Sequence, residues 1–276
     1  MSAISRSGTQ IAEAMPPAEP RHGPAAFIRD TLLITRRHLL RTWRVPQIIV
    51  FSAIMPVVFV LLFRYVFGGA IHVPGYPAYV DYLIPGIAIQ TVLFGGSSTA
   101  VGMAEDLSSG ITDRLRSLPT HRGAILAART LADLLRLAYT MALVIAIGLL
   151  VGFRFHTGVI SVLEGLGIAL LFGYACSWLF ALVALGVRHS ETAQMAAFLI
   201  TFPLVFASSI FASPATMPTW LGDFANAQPV TKVVDALRAL AEGVGPTTRP
   251  ALFAIAWSLG ILIVAATAAT IRFRRI

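Results

Sequence analysis

Few residues in this chain are of a type and spacing that could do chemistry, and most reactions are excluded by what is missing around them. A phosphate-binding loop needs Gly-Lys-Ser/Thr to wrap a nucleotide. The single lysine is Lys232, preceded by Thr231, so ATP cannot be held that way. The run GGSS, Gly95 to Ser98, offers two hydroxyls, but covalent catalysis needs a general base within hydrogen-bond reach. All six histidines, His22, His38, His72, His121, His156 and His189, fall in tails or between apolar runs. No Ser-His pair is therefore expected inside an apolar layer. The HSE of His189 to Glu191 lacks the second histidine, one helical turn away, of a zinc-protease helix. Cys176 stands alone in an apolar run and can form neither an internal disulfide nor a thiolate metal cluster. Charge is concentrated in one place. EDLSSGITDRLRSLPTHR, Glu105 to Arg122, holds six of the Asp, Glu, Lys and Arg residues within eighteen positions.

The elements that must position these residues are apolar. Hydrophobic residues make up 57% of the 276 and charged residues 12%, outside ordinary globular usage. Runs of about 20 apolar residues recur, each long enough as a helix to cross ~30 Å of hydrocarbon. Barrel strands would be about ten residues long and alternate in polarity, so the class expected is all-α integral membrane. The net charge of +8 does not point to nucleic acid, because the arginines flank apolar runs and form no basic domain with stacking aromatics. The first 26 residues lack the apolar core of a signal peptide and carry Pro16, Pro17, Pro20 and Pro24. Residues 1–25 read as a disordered cytoplasmic tail and residues 26–276 as the membrane domain.

Six spans are predicted: Pro46 to Phe67, Leu83 to Ala104, Leu134 to Phe153, Ser161 to Val187, Ala193 to Ala212 and Ala251 to Ile271. With the N-terminus inside, 16 Lys and Arg residues fall on the inner side and five, Arg64, Arg154, Lys232, Arg238 and Arg249, on the outer. The positive-inside rule then places both termini in the cytoplasm. Before the first span, Ile28, Leu32, Leu39 and Trp43 share a helical face, with Arg29, Arg36, Arg37, Arg41 and Arg44 placed to meet lipid phosphates. This segment is expected along the inner surface, either as an anchor or with a mechanical role. Ser213 to Pro250 is expected outside, as an irregular or re-entrant structure ending in an exposed helix. There Val230, Val233, Val234, Leu237 and Leu240 lie opposite Lys232, Asp235, Arg238 and Glu242, and Gly243 is the stop. It reads equally as a lid or a gate. Small residues at Gly95 to Ser98, and Gly148 and Gly152, should let helices approach closely.

Ionisable residues at the spans are functional candidates by default. Arg64 and Glu164 lie near outer span ends, from which they can snorkel, and Asp81 is expected to be interfacial. Nothing resembles a proton relay, which favours an external energy source over ion coupling. Within Glu105 to Arg122, a helix from Ser108 or Ser109 would present Asp113, Arg114 and Arg116, with Leu115 and Leu118 as anchors, until Pro119 stops it. Composition alone leaves this segment either a short amphipathic helix or a solvated loop.

Three stretches carry a resemblance to a known family: DLSSGITDRLRSLPTHRGAILAARTLAD, VGFRFHTG and AQPVTKVVDALRALAEG. In order and spacing among six spans, the chain resembles the ABC-2 type permeases, close to the daunorubicin-resistance type of antibiotic and lipid exporters, over nearly everything after residue 25. The resemblance implies six transmembrane helices, an N-terminal interfacial helix, a cytoplasmic coupling helix between spans two and three, and outer re-entrant helices near Pro218 to Gly243. It implies a multi-pass protein of the cell inner (plasma) membrane that exports a hydrophobic drug, antibiotic or lipid. It also implies that the chain is not an enzyme. ATP and magnesium would belong to a separate ABC ATPase subunit, with no cofactor in this chain. A second permease subunit, identical or different, and membrane lipid complete the partners, with no nucleic acid. By position, the coupling contact falls on Glu105, Asp106, Gly110, Asp113, Arg114, Leu115, Arg116 and Pro119. No catalytic or metal-binding residue is implied. A cargo path is assigned to Phe51, Met55, Phe59, Gln90, Phe94, Phe198, Phe202 and Phe206. The alternative from another class is a membrane scaffold or channel with no ATPase.

Overall fold

A computed structural model describes residues 23–44, 46–68, 73, 75–110, 122–187 and 189–275. Regular structure among them is entirely helical: α1 (Pro24–Trp43), α2 (Pro46–Leu62), α3 (Tyr79–Ser108), α4 (Arg122–Leu150), α5 (Val159–Val187), α6 (Ser190–Phe206), α7 (Thr219–Ala227), α8 (Pro229–Glu242) and α9 (Thr248–Arg275). Helices α3, α5 and the greater parts of α4 and α9 are long and apolar enough to cross a membrane. The first expected span is one continuous element, because α2 runs directly into a π-helical turn, Phe63–Phe67. Expectations for residues 1–22 lie outside the described residues.

Helix α3 is the axis of the bundle, packed by α2, α4, α5, α6 and α8. Most of its side chains are buried, from Tyr79 to Asp106, as the all-round apolar sequence of a central helix requires. Glycines set how closely its neighbours come. A Cβ on Gly96 would lie 2.9 Å from the Phe180 ring, and one on Gly148 would lie 2.9 Å from Ile84. Gly152 does not share this role. It has φ +109° and open space beside it, and it turns the chain after α4.

The fifth expected span stops short of Ala212. Pro203 lies inside α6, and Ala207 leaves helical geometry at φ −93°, ψ 43°. A chain that breaks its helix within an apolar bundle must find donors for the carbonyls it releases. Gln228 Nε2 donates to the Ala207 carbonyl. Arg238 on α8 donates from Nη2 to the Ile210 carbonyl at 3.0 Å and from Nε to the Tyr82 carbonyl at 2.9 Å. Its guanidinium carbon lies 3.4 Å from the Tyr82 ring centroid, and Tyr82 Oη donates to the Ser209 carbonyl at 2.7 Å. Gly86 permits this approach, since a Cβ there would sit 2.5 Å from the Ile210 oxygen.

Helix α8 therefore differs from the exposed helix predicted. Val230, Val233, Val234, Leu237 and Leu240 are buried as expected, but so are Arg238, 3% exposed, and Glu242. The i,i+3 pair of Asp235 and Arg238 forms at 3.8 Å with Asp235 partly exposed, but Arg238 and Glu242, expected as i,i+4 neighbours on an exposed face, turn inward to other partners. Gly243 ends the helix in the left-handed region, φ 71°. Glu242 Oε2 pairs with His156 Nδ1 at 2.7 Å, and the His156 amide donates to the Ala241 carbonyl at 3.0 Å. These contacts tie the α4–α5 connection to the end of α8. Burial, with a smaller contribution from the like charge of Asp81, raises the Glu242 carboxyl to about 7, against the opposing hydrogen bond from His156.

Three further positions are fixed by contacts within the protein. Asp81 is buried within the protein. Arg64 does not merely reach for the interface, because its Nε donates to the Val151 carbonyl at 3.2 Å, beyond the last turn of α4. On α1, the face turned to protein is Thr31, Ile34 and Thr35, with Thr35 Oγ1 donating to the Ala128 carbonyl at 3.2 Å, while Ile28 and Leu32 are exposed.

Two outcomes follow. Arg238→Ala leaves two carbonyls without their charged donor, and hydrogen bonds to charged groups contribute about 1.5–3 kcal/mol each. Thermal unfolding in detergent micelles should show a loss of at least about 3 kcal/mol, only partly recovered by Arg238→Lys, whose ammonium lacks the planar fork. The folded Glu242 holds its proton more tightly than the unfolded one, so its contribution to stability falls as pH rises from about 4.5 to about 7. Glu242→Gln should flatten the melting temperature across that window.

Candidate functional site

Helices α2, α3, α4 and α6 line a cavity of about 430 Å³ that is open on one side, where Met55 and Phe198 are exposed. Its two sides differ in chemistry. Met55, Pro56 and Phe59 of α2 and Phe198, Phe202 and Phe206 of α6 form an apolar wall. These rings belong to a continuous column: Phe198 to Phe202 at 5.2 Å, Phe202 to Phe206 at 4.4 Å, Phe206 to Phe211 at 5.5 Å and Phe211 to Phe63 at 4.7 Å between centroids. Ring contacts of this kind contribute about 0.5–1.5 kcal/mol each beyond the area they bury.

The facing wall is polar. Gln90, Phe94 and Ser98 recur at one-turn spacing on α3, with Thr91 and Gly95 beside them, and α4 supplies Arg136, Leu137 and Thr140. Gly95 keeps this wall low, because a Cβ there would meet the Leu137 side chain. Arg136 stands midway along α4. Its Nη2 donates to the Gly95 carbonyl at 2.9 Å and to Ser98 Oγ, and approaches Asp133 Oδ1 at 3.5 Å.

Arg136 is the cavity end of a ladder of charge between α3 and α4. Asp133 Oδ2 accepts from Arg129 Nε at 3.4 Å, and Arg129 Nη1 donates to Asp106 Oδ2 at 2.7 Å. Asp106 lies in the last turn of α3, so the ladder leads from the cavity to the point where the charged segment begins. Gly102 makes room for it, since any Cβ there would collide with the Arg129 guanidinium.

The structure brings together seven of the eight residues assigned to a cargo path, Met55, Phe59, Gln90, Phe94, Phe198, Phe202 and Phe206, around this one cavity. Phe51 falls on α2, but its side chain lies outside the described residues. Of the coupling set, Glu105 is exposed, Asp106 turns into the bundle toward Arg129, and Gly110 takes φ +70° just beyond α3. Asp113, Arg114, Leu115, Arg116 and Pro119 lie outside the described residues. Sequence reasoning missed Arg129, Asp133 and Arg136 as site residues. Their i, i+4, i+7 spacing within an apolar run, which places all three on one helical face, was the available signal.

Several long apolar helices beside an amphipathic cleft define a multi-pass membrane protein. The family model of the ABC-2 type transporter matches residues 29–241, and the chain belongs to that family. It is 33% identical over 228 residues to the daunorubicin resistance ABC transporter permease protein DrrB1 of Streptomyces coeruleorubidus, covering 82% of this chain and 80% of the relative. It is 30% identical over 255 residues, 90% of each chain, to the probable doxorubicin resistance ABC transporter permease protein DrrC of Mycobacterium tuberculosis. The doxorubicin resistance permease DrrB of that organism is 26% identical over 62% of this chain and 58% of its own length. These relatives are named as permeases, a transport role and not a catalytic one.

The ladder makes a stability prediction. Asp106→Asn and Arg129→Gln should each cost about 1–3 kcal/mol in thermal unfolding, because each strands a partly buried charge. The double substitution should cost less than their sum, and strict additivity would show the pair to be uncoupled.

Proposed function

We propose that this chain is the membrane subunit of an ATP-driven exporter that moves an apolar drug, antibiotic or lipid out of the cell through the α2–α3–α4–α6 cavity. One observation carries the reading: an amphipathic cavity lined by α2, α3, α4 and α6 is joined, through Arg136, Asp133, Arg129 and Asp106, to the helix end from which the charged segment departs. Six crossings with both termini in the cytoplasm place Glu105 to Pro119 on the inner side and α7 and α8 on the outer. A separate ABC ATPase grips the Asp113 to Arg116 stretch, and ATP and magnesium stay on that partner. A second permease subunit completes the path.

In this mechanism the ATPases close on nucleotide and displace the segment beyond α3. Asp106 moves with it, and its ion pair with Arg129 carries the shift to Asp133 and Arg136 in the cavity wall. Charge pairs in an apolar setting suit such a task because they have discrete partners and resist gradual sliding. The aromatic wall holds cargo by contact area, without strong directional bonds, and so does not trap it when the cavity opens outward.

The test is co-reconstitution with an ABC ATPase subunit in proteoliposomes, following ATP-dependent movement of the neutral dye Nile red. Combined Asp113→Ala and Arg116→Ser should reduce transport to background and remove the permease's effect on ATP turnover. Undiminished coupled transport in that variant would sink the coupling assignment. Probe movement without any ATPase would favour a channel.

A further inference from the structure

We infer that Arg136 is an anchor for an oxyanion, so that the cargo this cavity takes is an amphipath with an apolar body and one carboxylate or phosphate group. The inference rests on reading the cavity as the cargo site, and goes beyond it by naming the charge the site selects. Among the described residues lining the cavity, Arg136 is the only ionisable one. Asp133 Oδ1 at 3.5 Å partly offsets its charge, but no carboxylate is among the described lining residues, so the guanidinium is the charged group turned to the space.

The guanidinium has donors to offer. All its hydrogen bonds to described residues, to the Gly95 carbonyl, Ser98 Oγ and Asp133 Oδ1, are made by Nη2. Nε and Nη1 are uncommitted, and a guanidinium presents these donors in a plane that matches carboxylate and phosphate oxygens. Its one acidic neighbour is shared and distant, since Asp133 lies 3.5 Å from Arg136 and 3.4 Å from Arg129. An incoming oxyanion can take the open side of Arg136 without stripping Arg129, which keeps Asp106 at 2.7 Å.

Gln90 lines the same wall, but its buried Oε1, without a hydrogen-bond partner among the described residues, is an acceptor that calls for a donor and does not bear on the anion. Cargo bound at Arg136 would set its apolar body against Phe59, Phe202 and Phe206. The rings alone would attract a cation, but the Arg136 guanidinium on the facing wall, partly offset by Asp133 at 3.5 Å, opposes it and favours the anion.

The test uses three probes with one body and different charge, 1-pyrenebutyrate, 1-pyrenebutanol and 1-pyrenebutylamine. Each is titrated by fluorescence onto the full chain in phosphatidylcholine nanodiscs, with empty nanodiscs as background. One charge-assisted hydrogen bond corresponds to about tenfold in affinity. The butyrate should therefore bind at least about tenfold more tightly than the amine, with the alcohol between them. Arg136→Lys should keep that order, and Arg136→Gln should bring the three affinities together. Saturable binding with no charge preference in the unaltered chain, or a preference that survives Arg136→Gln, overturns the oxyanion anchor and leaves the cavity as an apolar cargo site. No saturable binding of any probe overturns both. The comparison on the unaltered chain decides even where Arg136→Gln fails to fold. Adding phosphatidylglycerol to the nanodiscs separates the two sources of oxyanion: competition with butyrate that is lost in Arg136→Gln identifies a lipid headgroup, and absence of competition identifies a soluble amphipath.

Discussion

The architecture depends on a requirement that apolar surroundings impose on broken helices: every backbone carbonyl released inside the bundle needs a donor, because no water is there to supply one. This chain meets it with arginine. Arg238 holds Ile210, Arg64 holds Val151 and Arg272 holds Leu185 in the last turn of α5, while Arg238 and Arg136 add a second donor to Tyr82 and Gly95 within α3. A guanidinium suits the task because its five donors lie in a fixed plane and can bridge two elements at once. A lysine ammonium, with a compact and strongly hydrated charge, does this poorly. The near absence of lysine from so basic a chain fits that chemistry.

That requirement explains which features could be read in advance. The helices were legible because their apolar runs are long, and the cavity side chains because Gln90 and Phe94, or Phe198, Phe202 and Phe206, recur at one-turn spacing on their own helices. Gly243 was legible because a left-handed helix stop is a local demand. Arg238 and Glu242 were misread for the converse reason. Their spacing on α8 mimics exposed ion pairs, whereas what buries them is carbonyl supply from α3 and the end of α6 and a histidine between α4 and α5. None of these adjoins α8 in the sequence. Arg129, Asp133 and Arg136 were passed over, although their spacing already placed them on one face of a long apolar helix.

The two walls of the cavity also differ in how they are held. The polar wall is fixed by hydrogen bonds and ion pairs between α3 and α4, which have defined geometry and break as units. The aromatic wall is fixed by ring contacts across α2 and α6, which tolerate small shifts. A site with one rigid and one yielding side can keep an orientation for the polar end of a ligand while accepting apolar bodies of different shape.

The ring column passes through Phe211, immediately after Ile210, whose carbonyl Arg238 holds, and Tyr79 Oη bonds the Phe211 carbonyl itself at 3.1 Å. The yielding wall is thus pinned at one end by a clamp that never meets the contents of the cavity. Genetic selections for altered drug tolerance should accordingly recover changes around Tyr79, Tyr82 and Arg238, and a list of such positions would mislead anyone who took it as a map of where the drug sits.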